Sequence, residues 1–267
     1  MTYKMLVLDV DDTLLNSDHV ISEKTFTKLM DFQKAGNILV LASGRPKASL
    51  IQTALDLKLD HYDSHIISYN GADVTTVQDN LSLFNQPLDP KDQPEIVKFI
   101  QENDLIVIGY HGDGIKADRP NDYSHIESEL TGLDYEYDPA YFEQDDLPQP
   151  KFMGVGAPAI VQDLHKQLNN RFNDATYVTT SKPYYLEFMH KDVSKGQSLL
   201  RLCDHLGIDI KNVIAVGDSN NDVTMIETAG LGVAMGNATD ELKGLADFVT
   251  DSNDEDGIVR VIDEFFS

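Results

Sequence analysis

Asp9 and Asp11 stand two residues apart in the run Asp9-Val10-Asp11-Asp12-Thr13, directly after the apolar stretch Met5-Leu6-Val7-Leu8. In an extended chain alternate side chains share a face, so the two carboxylates are expected on one side and Val10 on the other. Two anions in one small volume repel unless a cation lies with them. Mg²⁺ meets that demand, because it is hard, oxygen-seeking and commonly held by one or two carboxylates, water and a substrate phosphate. The plainer alternative, acids that cap a helix or solvate a loop, suits Asp12 and Asp18 better than Asp9 and Asp11. Three further strand-like runs also end in residues able to do chemistry. Residues 38–41 lead into Ser43-Gly44-Arg45-Pro46, residues 65–69 into Asn70-Gly71, and residues 213–216 into Gly217-Asp218-Ser219-Asn220-Asn221-Asp222. Ser43 offers a hydroxyl, Gly44 lets a backbone amide approach a ligand, and an N–H-rich loop that opens a helix suits phosphate. Taken alone, Ser43 reads equally as a helix cap and Lys195 as a surface lysine at the head of a helix.

Continuous apolar runs of this kind are the pattern of central strands buried on both faces of a parallel sheet. Between them lie helical patterns. One has Ser22 as its N-cap, Phe26, Leu29, Met30 and Phe32 on one face, and Gly36 as its stop. From about residue 87 to 187 the rhythm changes to paired strands and helices, with a turn at Gly112-Asp113-Gly114, a helix expected over 121–133 and an acidic, proline-containing connector over 134–150 that reads as a solvated loop without chemistry. The βαβ alternation resumes at Lys195. The expected architecture is an α/β fold: a doubly wound, Rossmann-like parallel-sheet core made of residues 1–86 and 190–267, with an α+β domain, 87–189, inserted as a cap. In such sheets ligands bind outside the carboxyl ends of the strands, so Asp9, Asp11, Ser43, Gly44, Asp218, Asn221 and Asp222 should gather there, with Lys195 among them. Four carboxylates, one Mg²⁺ and one lysine would leave such a site with a single excess negative charge. A phosphate dianion could enter only by touching both cations.

The composition fits a site that must carry its own positive charge. The 267-residue chain has 45 acidic against 21 basic residues, a formal charge of −24, and 41% hydrophobic residues. That field repels nucleic acid and anionic membranes, and neither is an expected partner. Neither a secretory leader nor an apolar run near the roughly 20 residues of a membrane span is present, so cytoplasmic residence is the expectation. The single cysteine, Cys203, falls in a helical apolar pattern and reads as a core residue. His61 and His65 have the spacing of a helical metal pair, but the intervening Asp63-Ser64 reads as a turn.

The segments Asp9-Val10-Asp11-Asp12-Thr13, Ser43-Gly44-Arg45, Lys195-Gly196 and Gly217-Asp218-Ser219-Asn220-Asn221-Asp222 resemble the four motifs of the haloacid dehalogenase-like superfamily. Their order, and the insert between the second and third, resemble the Cof-type sugar-phosphate phosphatases with a C2-class cap. The resemblance implies a Mg²⁺-dependent phosphatase acting on small phosphomonoesters through an aspartyl-phosphate. Asp9 would be the nucleophile and Asp11 the general acid and base. Asp9, the carbonyl of Asp11 and Asp218 would ligate Mg²⁺, with Asp222 supporting from behind. Val10, Ser43, Gly44, Lys195 and Asn221 would hold the phosphoryl oxygens. Ser43 stands where threonine is also common, and either hydroxyl serves. The alternatives are a phosphotransferase or mutase using the same intermediate, and a non-catalytic phospho-ligand sensor. The insert, with the Gly112 turn and the segment Ser181-Lys182-Pro183-Tyr184-Tyr185, would choose the substrate, a small phosphorylated metabolite. Oligomeric state is not legible.

Overall fold

All four side chains of β1 (Met5–Leu8) are fully buried, as a strand in the middle of a sheet requires. The computed structural model describes residues 3–144 and 146–266. After β1 come α1 (Glu23–Lys34), β2 (Ile38–Ala42), α2 (Lys47–Asp56), β3 (His65–Ser68), β4 (Asp73–Thr76) and β5 (Ser82–Asn85). The middle of the chain forms α3 (Gln93–Glu102), β6 (Ile106–His111), β7 (Gly114–Ala117), α4 (Ile126–Thr131), β8 (Tyr135–Tyr137), β9 (Lys151–Val155), α5 (Pro158–Leu168), β10 (Thr176–Thr179) and β11 (Tyr185–His190). The last third forms α6 (Lys195–Leu206), β12 (Val213–Gly217), α7 (Val223–Thr228), β13 (Leu231–Ala234), α8 (Asp240–Leu245), β14 (Phe248–Val249) and α9 (Gly257–Phe265). The chain divides into two units, one comprising Met1–Arg45, Leu50–Phe84 and Ser194–Ser267, the other Pro46–Ser49 and Asn85–Val193.

The first unit holds an eight-stranded sheet in the order β14-β13-β12-β1-β2-β3-β4-β5. β14 through β3 are parallel and β4 turns antiparallel to β3. The fold is therefore α/β with a parallel, Rossmann-like core, as the apolar runs predict. β1 is the switch point, because the chain builds outward from it to β2 and β3 on one side and from β12 to β13 and β14 on the other. Register brings the strand ends level: Leu8 lies opposite both Leu41 of β2 and Val216 of β12. The loops that begin at Asp9, Ser43 and Asp218 therefore leave the sheet side by side. The flanking helices start as their caps dictate. Ser22 Oγ accepts from the Thr25 amide at 3.0 Å, and Leu29 and Phe32 of α1 pack into the core. Cys203 is buried in α6.

The second unit carries a six-stranded sheet in the order β10-β11-β9-β6-β7-β8. It is antiparallel except that β8 runs parallel to β7. Alternation along the strands gives the sheet two chemically different faces. Val107, Phe152, Leu186 and Phe188 form a core with Ile96 and Ile100 of α3 and Val161 and Leu164 of α5. Residues of opposite parity carry polar groups: Lys151 pairs with Glu187 at 3.1 Å, and the Tyr110 hydroxyl donates to Glu127 at 2.9 Å, all of them buried.

Two local expectations fail here. The connector 134–150 is not a solvated loop. Tyr135–Tyr137 form a strand, Tyr141, Phe142 and Leu147 join the apolar core, and Gln149 is fully buried with its amide bonded to both the N–H and the C=O of Tyr110. Its acidic residues masked the aromatic ones; Asp145 lies outside the described residues. The helix expected over 121–133 shortens to Ile126–Thr131. Asn121 Oδ1 accepts from the Tyr123 amide at 2.9 Å, and the Ser124 hydroxyl donates to the Asn121 carbonyl at 2.6 Å. Those side-chain bonds take the backbone groups a first helical turn would need. Among the described residues no helix is long and apolar enough to cross a membrane.

Candidate active site

At the end of β1 the Asp9 amide still donates to the Val216 carbonyl at 3.0 Å, and the chain then leaves the sheet. Val10–Leu14 form one wide turn, closed by the Leu15 amide on the Val10 carbonyl at 2.9 Å, with Asp11 extended and Asp12 in the left-handed region. Asp9 and Asp11 each keep extended angles, but the strand has ended and the chain turns from Val10 on, so strand alternation alone does not set where the two carboxylates point. The Asp11 carboxylate instead receives two bonds from Arg45, Nε at 2.8 Å and Nη2 at 2.6 Å. Such a two-point fork fixes a carboxylate in position as well as in distance. The turn also delivers Thr13, whose buried hydroxyl donates to Asp218 Oδ1 at 2.9 Å.

Lys195 does not lie on the surface. It opens α6 behind Ser194, whose hydroxyl caps the helix by accepting from Gln197, and its whole side chain is buried. The ammonium bridges Asp9 Oδ1 and Asp222 Oδ1, each at 2.6 Å. Asp222 spends its other oxygen on the Asp218 and Ser219 amides, both at 3.0 Å. This carboxylate shapes the loop after β12 and anchors the lysine at once. Gly217 is required beneath it, since a Cβ there would come within 2.5 Å of the Asp222 carboxyl carbon. Asp218 is held by Thr13 on one oxygen and by the Ser219 hydroxyl, at 2.6 Å, on the other.

Asp9, Asp218 and Asp222 each place a carboxylate oxygen within 4.8 Å of the others, and all three are buried. Burial, foremost, pushes Asp9 well above the usual carboxylate range; Lys195 pulls it back, while the charges of Asp222 and Asp218 push it further up. Asp218 is raised to about 6, again chiefly by burial, against the pull of the Ser219 and Thr13 hydroxyls. Burial alone would lower Lys195, but Asp222 and Asp9 together outweigh it and hold the ammonium above its ordinary value. One lysine thus leaves this carboxylate group short of positive charge. Among the described residues, the second oxygen of Asp9 receives no hydrogen bond. A hard divalent cation suits an all-oxygen donor set with this deficit.

The loops after β2 and β3 close the other side. Ser43 is buried, and its hydroxyl accepts from the Arg45 amide at 3.1 Å, a bond within the loop ahead of α2 and not a cap on the helix itself; the hydroxyl proton is left to donate elsewhere. Asn70 packs beside Gly44 and accepts from Asn221 Nδ2 at 3.0 Å. Asp9, Ser43, Gly44, Lys195, Asp218, Asn221 and Asp222 thus sit in one hydrogen-bonded neighbourhood of the first unit, and Val10 lies buried between Asp9 and Asp11. Thr13, Ser219 and Asn70 belong to the same neighbourhood. Thr13 and Ser219 stand inside the motifs, but no role was expected of them. His61 lies in the turn Leu59–His61 and His65 in β3, so they do not share a helix face.

The sequence profile of the haloacid dehalogenase-like hydrolases matches residues 6–262. The chain belongs to the haloacid dehalogenase-like hydrolase family. Among curated members of this family it is 30% identical over 261 residues to the 5-amino-6-(5-phospho-D-ribitylamino)uracil phosphatase YcsE of Bacillus subtilis, covering 97% of this chain and 94% of the other. A crystal structure of a haloacid dehalogenase-like hydrolase from Bacteroides thetaiotaomicron superposes with a TM-score of 0.92 at 33% identity, covering 99% of this chain and all of that one. A subclass IIB sugar phosphatase of the superfamily shares the fold, with a TM-score of 0.82 at 22% identity over 98% of both chains. As a haloacid dehalogenase-like phosphatase, this protein is a phosphoric monoester hydrolase.

Proposed function

We propose that the protein is a Mg²⁺-dependent phosphatase that hydrolyses small phosphomonoesters, sugar phosphates or related metabolites, through an aspartyl-phosphate on Asp9. The observation that carries this reading is the Asp9 carboxylate itself: one oxygen is anchored by buried Lys195 and the other is unbonded, within a carboxylate group that needs a further cation. The unbonded oxygen attacks phosphorus, the P–O bond to the substrate breaks, and Asp11, which enters this step protonated, gives the departing alkoxide its proton and becomes a carboxylate. Asp11 then takes a proton from water as that water attacks the aspartyl-phosphate, which releases inorganic phosphate and restores Asp9. Arg45 favours the ionised form of Asp11, the one that accepts the proton from water, and holds its carboxylate in place for that transfer. Lys195, the Ser43 hydroxyl, the Gly44 and Val10 amides and Asn221 are the donors for the charge that accumulates on the phosphoryl oxygens. Asp9, Asp218 and the Asp11 carbonyl would hold Mg²⁺, which when bound supplies the missing positive charge, with Asp222 keeping Lys195 and the Asp218 loop in place. We assign choice of substrate to the inserted unit, since none of these residues lies within it.

The test is phosphate release from a panel of phosphorylated sugars and an aryl phosphate, with and without chelator. Activity should vanish on chelation, return with Mg²⁺, and be inhibited by Ca²⁺, whose longer bonds and higher coordination number suit a different geometry. Full turnover in excess chelator would overturn the metal assignment. Phosphate passed to a sugar acceptor in preference to water would make the enzyme a phosphotransferase.

A further inference from the structure

We propose that Asn70 is a positioning residue for phosphate binding, orienting the Asn221 carboxamide and locking it to the Ser43–Arg45 loop; this rests on the phosphatase reading. Asn70 is 4% exposed and stands just past the end of β3, with no acid–base chemistry of its own to offer. Its Oδ1 accepts from Asn221 Nδ2 at 3.0 Å, across 151 residues of sequence. Its amide donates to the Ser43 carbonyl at 2.9 Å, and the amide of Tyr69 donates to the Arg45 carbonyl at 3.0 Å. A methyl group at Gly44 would lie 3.0 Å from Asn70 Oδ1, so that amide packs directly on the glycine. Gly71, at φ +106°, leans on the start of α6, where a Cβ would lie 2.4 Å from the Ser194 carbonyl; the Ser198 hydroxyl donates to the Gly71 carbonyl at 2.6 Å. One three-residue loop therefore touches the Ser43–Arg45 turn, Asn221 and the head of the helix that carries Lys195.

The backbone of this loop is not a default one. Tyr69 and Asn70 are both left-handed, at φ 51° and 58°. Asparagine tolerates that region, whereas for tyrosine it is disfavoured and persists only where its surroundings hold it. The side-chain chemistry explains what the arrangement secures. A carboxamide presents an acceptor on one side and two N–H donors on the other, and a flipped Asn221 would turn its oxygen toward phosphoryl oxygens. Because Asn70 offers an acceptor, it selects the Asn221 orientation in which Nδ2 faces it. That bond uses one N–H and leaves the second to donate.

Asn70→Gly keeps the left-handed backbone and removes the amide. The experiment compares wild type, Asn70→Gly, Asn221→Ala and the double variant, reading KM and kcat for an aryl phosphate, equilibrium binding of inorganic phosphate in Mg²⁺, and Tm. Losing one charge-assisted bond corresponds to about a tenfold effect or more. Asn70→Gly should raise the phosphate Kd about tenfold and lower kcat/KM by at least as much, Asn221→Ala should match it, and the double variant should be no worse than either. In Asn70→Asp, which retains an acceptor, Asn221→Ala must still cost as much as in wild type. The proposal is overturned if Asn70→Gly leaves kcat/KM and Kd within twofold of wild type, or if the two substitutions multiply. Absence of phosphate release from every ester would remove the phosphatase reading instead, while the binding comparison would still decide the role of Asn70.

Discussion

The two oxygens of Asp9 have different tasks, one bound to Lys195 and the other unbonded, and an amide at this position can perform only the first. Asp9→Asn is expected to abolish phosphate release while circular dichroism stays native, because a carboxamide keeps an acceptor for Lys195 but is no nucleophile. Wild-type turnover in a preparation cleared of contaminating phosphatase would refute the assignment. Asp11→Asn should slow turnover of alkyl phosphates by about 10²–10⁴-fold, the usual range for a lost general acid and base, and slow an aryl phosphate less, since its leaving group needs less help. Equal losses on both substrates would count against proton transfer by Asp11. Residue types were readable at Asp9, Asp218 and Asp222, because acids after a buried apolar run need a reason to be there. Their pairings were not. Thr13 reaches Asp218 across 205 residues and Asn70 reaches Asn221 across 151, so only the folded chain shows which polar group satisfies which.

Strand ends are the elements that make the site, and Gly217 shows how closely they are fitted. Gly217→Ala puts a methyl group where the Asp222 carboxyl stands, so the carboxylate must shift and Lys195 loses one of its two anchors. Overpacking of this kind costs about 1–3 kcal/mol, and the variant should show a lower Tm together with a loss of activity that added Mg²⁺ does not restore. Native Tm and kcat/KM would show that the loop yields at no cost. Central strands such as β1, β2 and β12 were legible, since a short, continuous apolar run bounded by polar residues must be buried on every side, and the middle of a parallel sheet provides that burial. The segment that became β8 and the Tyr141–Gln149 stretch was not, because a short strand with acidic neighbours carries too little periodicity, and its aromatic residues find their partners only in tertiary contact. The extended-chain argument at Asp9 and Asp11 is incomplete for a related reason: it assumed that the strand continues past Leu8, whereas the site begins where the strand ends.

At the scale of the whole molecule, each unit has its own core, and the second also buries charge. Glu127 is raised above its ordinary value of 4.5, chiefly by burial and despite Lys151 and the Tyr110 hydroxyl. Below that value the carboxyl is protonated whether the chain is folded or not. As pH rises above it the unfolded chain ionises while the folded one keeps its proton, so this contribution to stability is lost until pH has passed the raised folded value. Tm should therefore fall with pH over that window in wild type and less in Glu127→Gln; parallel curves would show that Glu127 does not set the slope. The order of the segments along the chain has a different consequence, one of synthesis. β1 hydrogen-bonds to β12, and Asp9 meets Lys195, only after the whole insert has been made, whereas the contacts that build the insert's sheet are comparatively local. On the ribosome the insert can mature as a body while β1 to β5 still lack their neighbour. On the proposed mechanism, a nascent or truncated chain that stops short of α6 would carry Asp9 without its ammonium and be catalytically silent. On that reading competence would wait for the last third of the chain, which supplies both β12 beside β1 and the ammonium of Lys195.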